Sequence, residues 1–315
     1  MVSIASLGFL NSAALAQTTP KEETQPVRIQ FAAKVGEQDF SCTLSYALGK
    51  GSKSDRSKSF QVADFRFYVS EVALLDRSGK AVPVQLEQDE TWQYQNVALL
   101  DFENKTDACS NGTPETRNQI IGTVPKGEYR GIQFTLGLPP KLNHEDASIA
   151  PSPLNLTGLW WNWQGGYKFL RVDLQASQPQ DKPTEHGGAH GKHKHDASSK
   201  HSEKHSAGFP IHLGSTGCQD LNSKNRNAAS PCQSPNRSIV RLPNFDLQQS
   251  QIIVDLASLL DQTDVTQNQA KTPPGCMSSP NDRDCAGIFE TLGIPFDGQS
   301  PRSQRFFKVV ERRDR

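Results

Sequence analysis

The run Phe65-Arg66-Phe67-Tyr68-Val69-Ser70-Glu71-Val72-Ala73-Leu74-Leu75, followed by Asp76-Arg77-Ser78-Gly79 and then Val82-Pro83-Val84-Gln85-Leu86, decides the fold class. Aromatic and β-branched side chains fill the first run and suit a pleated sheet, and the polar, glycine-ended segment after it is a turn, so the whole reads as a hairpin. Upstream, residues 27–48 open with Val27, Ile29 and Phe31 alternating with polar positions, the pattern of an edge or half-buried strand. A Gly-, Ser- and Lys-rich loop over 49–59 separates the two. Downstream, residues 97–102, 127–136, 167–174 and 239–245 add short β-rich runs divided by turn residues. The expectation is a mainly β single domain, sandwich or barrel-like, with long loop insertions. Residues 252–260 read as a strand turning into a short helix with Asp255 as candidate cap, and residues 285–293 as a C-terminal helix stopped by Gly293. Beyond Pro295, residues 296–315 are charged and are expected to fray as a tail.

The chain has 315 residues, zero formal net charge, 35% hydrophobic residues, 23 Gly and 20 Pro. That composition favours a loop-rich β protein and offers no general basic face for nucleic acid. Residues 4–10 are apolar and lead to Ala14-Leu15-Ala16, an A-x-A cleavage pattern, so residues 1–16 read as a secretory signal peptide and residues 27–295 as the exported domain. The signal lacks a positively charged start, as expected if translation begins farther upstream. No later run approaches the roughly 18 apolar residues of a membrane span. Export makes the 6 cysteines a disulfide framework. Six cysteines allow about 15 connectivities. The sequence-local pairs Cys218–Cys232 and Cys276–Cys285 are favoured, leaving Cys42 with Cys109. The alternative, a thiolate metal site, lacks any C-x-x-C pair.

Three of the 4 tryptophans fall in Leu159-Trp160-Trp161-Asn162-Trp163-Gln164-Gly165-Gly166-Tyr167-Lys168-Phe169-Leu170. As a strand, this puts Trp161 and Trp163 on one face and Trp160 with Asn162 on the other, which makes either an aromatic core strand or the wall of a site. His144, in the turn Leu142-Asn143-His144, and His212, before Leu213-Gly214-Ser215-Thr216-Gly217-Cys218, read as histidines in short polar turns on either side of it. They are a candidate metal pair or structural turn residues. Two imidazoles with a weak third donor suit copper, which heads the divalent affinity series for nitrogen ligands. Met277 is a candidate thioether ligand or a core residue. Residues 177–207 turn to Gln, Pro, Lys, Ser and His without apolar periodicity, and hold His186, His190, His193, His195, His201 and His205. This reads as a disordered insertion, either a spacer or a weak, unselective auxiliary metal loop. No nucleophile elbow, phosphate loop or HExxH occurs, so no enzyme is expected.

Together, Trp161-x-Trp163-x-x-Gly166-Tyr167-Lys168-Phe169, Leu142-Asn143-His144, His212-Leu213-Gly214-Ser215-Thr216-Gly217-Cys218 and Gly275-Cys276-Met277-Ser278 resemble the MbnP-like family, the metallo-mystery pair four-cysteine proteins. The resemblance runs from about Phe31 to Pro295. It implies a periplasmic copper binder whose partner is a dihaem protein of the MauG and cytochrome c peroxidase kind. With the copper proteins MopE and CorA, it also implies oxidation of one tryptophan, Trp161 or Trp163, to a kynurenine that joins His144 and His212 at the metal. The competing readings are a structural or adhesion-like β-sandwich with incidental metal binding through its His-rich loop, and a copper-dependent redox enzyme.

Overall fold

The computed structural model describes residues 23–52, 59–162, 165–177, 208–218 and 232–312. Residues 1–22, where a signal peptide is expected, residues 178–207 of the His-rich tract and Trp163 lie outside the described residues. Ser177 belongs to the sheet edge, its N–H donating to Ser59 O at 2.9 Å.

Among the described residues two large sheets face each other. The first runs Phe307–Glu311, Ser250–Asp255, Thr24–Val35, Gln119–Pro125, Gln85–Leu86; the second runs Gly208–Leu213, Leu170–Ala176, Ser59–Asp76, Tyr129–Leu136, Ser238–Pro243, with Val97–Asp101 also paired to Ser59–Asp76. Neither closes on itself, so the architecture is a sandwich and not a barrel. Phe31 and Phe307 of the first sheet meet Phe67 and Phe134 of the second at ring-centroid distances of 5.0 to 6.3 Å. This aromatic layer is the core, and edge-to-face contacts of this kind add about 0.5–1.5 kcal/mol each beyond area burial.

The hairpin expected from residues 65–86 is present. Ser59–Asp76 turns through Gly79 into Ala81–Pro83, which pairs back with Leu74 opposite Val82, and the next residues, Gln85–Leu86, cross into the other sheet to pair with Gln119–Pro125. Val27, Ile29 and Phe31 are buried as the alternation requires. Their strand is not an edge, however: it lies between Ser250–Asp255 and Gln119–Pro125. Asp255 caps Leu256–Leu260 by accepting from Ala257 N, and Gly293, at φ +70, ends Ala286–Leu292 in the left-handed conformation that favours glycine. The three disulfides pair as sequence proximity favoured.

The frayed tail is a correction. Phe307–Glu311 forms the last strand of the first sheet, with Phe307 opposite Val254, and Phe306 and Phe307 are fully buried. Average charge concealed two adjacent aromatics, and each buried ring is worth about 1.5–3 kcal/mol.

Ser59–Asp76 is buried on both faces. Its inner face carries Phe65 and Phe67. Its outer face is roofed by the connection 137–168, to which Tyr68 donates through Pro153 O at 2.9 Å and Ser70 through Gly137 O at 2.8 Å. That roof carries His144 and Trp161.

Candidate metal centre

The roof ends in a hairpin of Trp160–Asn162 with Gly166–Tyr167. Asn143, 2% exposed, fastens the hairpin to the His144 turn: its Oδ1 accepts from Tyr167 N at 3.1 Å. Gly166 is required there. It sits at φ +72, and a Cβ on it would fall 2.3 Å from Asn143 O. Because Asn143 Oδ1 is an acceptor, its Nδ2 is a donor, and Nδ2 lies 3.2 Å from His144 Nε2. That contact is a hydrogen bond when His144 Nε2 accepts, so the amide meets the Nε2 lone pair. That nitrogen is also 3.6 Å from Cys232 Sγ. His144 and the sulfurs of Cys218 and Cys232 offer donor atoms within 4.8 Å of one another, but the sulfurs are joined as a disulfide and carry no thiolate charge.

Trp161 leans from the hairpin onto the neighbouring chain. A Cβ on Gly214 would come within 2.5 Å of Trp161 Cζ3, so the indole lies flush against glycine backbone two residues beyond His212. Trp160 Nε1 is buried without an acceptor among the described residues.

His212 is not in a polar turn. It lies within Gly208–Leu213, whose alternation sends Phe209, Ile211 and Leu213 into the core and His212 to the other face, opposite Arg171. There His212 Nε2 meets Asp173 Oδ1 at 2.8 Å. Burial works against the charge on Asp173, but the His212 bond and the Arg171 guanidinium outweigh it and hold the carboxyl below its ordinary range. A carboxylate only accepts, so Nε2 carries a proton and Nδ1 is the ring nitrogen left to face a ligand. On the far side, Cys276 bridges Ile211 in parallel, which brings half-buried Met277 next in line with His212; Ser278 Oγ donates to His212 O at 2.9 Å. Met277 is not among the side chains packed in the core.

From His212 a chain of alternating charges crosses the roofed face. Arg171 reaches Asp173 at 2.6 Å and Asp64 at 3.1 Å; Arg66 pairs with Asp64 and lies 3.6 Å from Glu103. Beside it, burial and then Arg171 depress Lys168 to about 8, its ammonium donating to Gly158 O at 3.0 Å. Burial raises Asp101 to about 8 against the pull of Arg66. Arg171 Nη1 also donates to Gly158 O at 3.0 Å, and these two charge-assisted bonds, from Lys168 and Arg171, fix the roof on the sheet.

The structure thus ties the Trp161 hairpin to the His144 turn through Asn143 and rests Trp161 on Gly214, two residues beyond His212, whereas the described donor cluster around His144 holds Cys218 and Cys232 and not His212. Sequence reading missed Asn143 and Asp173 as the groups that set the two imidazoles. Asn143 was visible as the neighbour of His144, whereas Asp173 required the register of two strands that are far apart in sequence.

A family model described as MbnP matches residues 24–278. Among solved structures the chain is similar to MbnP from Methylosinus trichosporium, with 29% identity, a TM-score of 0.72, and coverage of 92% of this chain and 99% of that one. Comparison with curated proteins returned no match. Among the described residues no helix is long and apolar enough to cross a membrane.

Proposed function

The chain belongs to the MbnP family, and on that premise we propose that it is a periplasmic copper-binding protein, the substrate and partner of a dihaem peroxidase-like enzyme and not itself a catalyst. The observation that supports this reading is the wedge of Trp161 against Gly214, which joins the hairpin fastened to His144 with the strand that carries His212. The donor set fits the metal. His212 is oriented by Asp173, an outer partner of the kind that typically accounts for about 10–100-fold in metal affinity, whereas Asn143 occupies His144 Nε2 with a hydrogen bond that copper would replace. Two nitrogen donors with Met277 in reserve suit copper in either oxidation state.

An unmodified indole offers only an N–H donor, so Trp161 has no ligating lone pair as it stands. Oxidation of Trp161 or Trp163 to kynurenine at the haem partner, with an oxidant at the level of dioxygen, would break the indole C2–C3 bond as two oxygen atoms add, and water would then release C2 as formate, leaving an aniline nitrogen and a carbonyl. The oxidised side chain then supplies a third donor. Residues 186–205 act as a weaker collecting loop, since nothing in their sequence fixes a geometry.

Copper(II) titration of the oxidised protein, read by calorimetry and by nitrogen hyperfine structure in electron paramagnetic resonance, tests the reading. One tight equivalent is expected to survive deletion of residues 178–207 and to weaken at least tenfold in H144A and in H212A. A tight site that vanishes with the tract and survives both substitutions overturns the reading and leaves a structural β-sandwich with incidental metal binding.

A further inference from the structure

The three disulfides differ in their surroundings. Cys42 and Cys109 are 3% and 0% exposed, and Cys276 and Cys285 are both 0% exposed, so neither bond offers a sulfur to an external reductant. Cys218 and Cys232 are half-buried at both ends. Attack on a disulfide needs access to a sulfur, so this bond opens first. It is also the one beside His144, whose Nε2 lone pair is 3.6 Å from Cys232 Sγ.

Opening the bond does not release the two cysteines from each other. They are directly opposite in the antiparallel pairing of Thr216–Cys218 with Cys232–Ser234, and Thr216 pairs with Ser234. The base of this ribbon is tied independently: Ser215 Oγ donates to Pro235 O at 2.9 Å and Asn236 Nδ2 to Gly214 O at 2.8 Å. Asn143 holds the imidazole in place until copper(I) takes over the Nε2 lone pair that its amide now occupies.

We infer that Cys218–Cys232 is the reducible disulfide of this protein and that its reduced form, with His144, is a copper(I) site. The step balances with a dithiol reductant as co-reactant: it delivers two electrons and two protons, the S–S bond breaks, two S–H bonds form, and the reductant closes to a disulfide. When copper(I) enters, the two thiols lose their protons to water and two S–Cu bonds form with no change in the oxidation state of the metal. Thiolate sulfur selects copper(I), and a two-sulfur, one-nitrogen set matches its low coordination. The oxidised ribbon cannot offer that set, so the site exists only in the reduced protein.

The test starts with anaerobic reduction of the full chain by graded phosphine, followed by desalting and alkylation mapped by mass spectrometry. Cys218 and Cys232 are expected to be labelled together while the other four cysteines stay paired. Copper(I), added as its acetonitrile complex, is then followed by X-ray absorption. The expected signature is two sulfur neighbours and one nitrogen. His144→Ala should weaken binding at least tenfold and remove the nitrogen, and the Cys218→Ser, Cys232→Ser double variant should remove the sulfurs. Simultaneous opening of all three disulfides, or copper(I) with only nitrogen and oxygen neighbours in the reduced wild type, overturns the inference. The oxidised protein, titrated with copper(II) in parallel, reports separately on the copper reading above.

Discussion

His212 donates its Nε2 proton to Asp173 Oδ1 across 2.8 Å, and the same carboxylate takes Arg171 Nη2 on its other oxygen at 2.6 Å. One side chain therefore sets the tautomer of a candidate ligand and ties it to the charge chain under the roof. Asp173→Asn keeps the shape and removes the charge. Copper(II) affinity of the oxidised protein is expected to fall about 10–100-fold, as for other second partners of ligating histidines. Leaving Arg171 and His212 without the carboxylate also costs stability, about 1–3 kcal/mol. Calorimetric titration and urea unfolding measure the two effects. Unchanged affinity would show that Asp173 does not orient a ligand.

Gly166→Ala tests the fastening of the hairpin. The added Cβ meets Asn143 O at 2.3 Å from a backbone at φ +72, so strain and clash act together. The expected loss is about 1–3 kcal/mol with a red shift of tryptophan fluorescence as Trp161 leaves Gly214. Gly51, also at positive φ but with open space around it, is the control: alanine there meets only the backbone cost.

Much of the sandwich was legible because its strands carry their own signals. The Phe65-to-Leu86 hairpin, the Asp255 cap and the Gly293 stop depend on residues next to one another in sequence. What stayed hidden depends on pairing at a distance. His212 looks like a turn residue beside Gly214 until Arg171 is found opposite it, and only then does Asp173 come within reach. The last strand was hidden differently: Phe306 and Phe307 lie among arginines, and the burial of two rings outweighs the charges, which remain at the surface. The site was named by resemblance, and its supporting groups emerged from register.

Removing residues 305–315 tests that last strand. The truncation deletes Phe306 and Phe307 and leaves Phe67 and Phe134 facing a void. Losing one core phenylalanine costs about 3–5 kcal/mol. The truncated protein is therefore expected to unfold at a much lower urea concentration, or to accumulate as aggregate. A midpoint within error of the full chain would restore the frayed tail.

Two buried groups give stability opposite pH slopes. Asp101, raised from 3.8 to about 8, keeps its proton in the folded state where the unfolded chain has lost it, so stability falls as pH rises from about 4 to about 8. Lys168, depressed from 10.5 to about 8, has lost its proton where the unfolded chain keeps it, so stability recovers between about 8 and 10.5. One such proton changes the unfolding free energy by at most about 1.4 kcal/mol per pH unit. Urea midpoints across this range should pass through a minimum near pH 8. Asp101→Asn should flatten the acid limb and Lys168→Met the alkaline one; if each variant leaves its limb unaltered, burial of these groups does not set the profile.

The pleat and the glycine contact select the tryptophan expected to be modified. Trp92 lies in a segment remote in sequence, near Asp89, whose carboxylate accepts from its backbone N–H at 2.7 Å. Trp160 pairs with Tyr167, and its buried Nε1 faces no acceptor among the described residues. Trp161 rests on Gly214 and is half-buried, close enough to the surface for an electron to be drawn to a docked haem partner. Coexpression with that partner is expected to raise the intact mass by about 4 Da, the carbon-for-oxygen exchange of kynurenine. Tandem mass spectrometry should place the change in the peptide spanning 159–168, at Trp161 or Trp163. Trp161→Phe and Trp163→Phe, expressed the same way, separate the two positions: the variant that abolishes the mass shift should also weaken copper(II) binding. Tight copper binding with all four tryptophans intact in the presence of an active partner would leave the metal to His144 and His212 and remove kynurenine from the site.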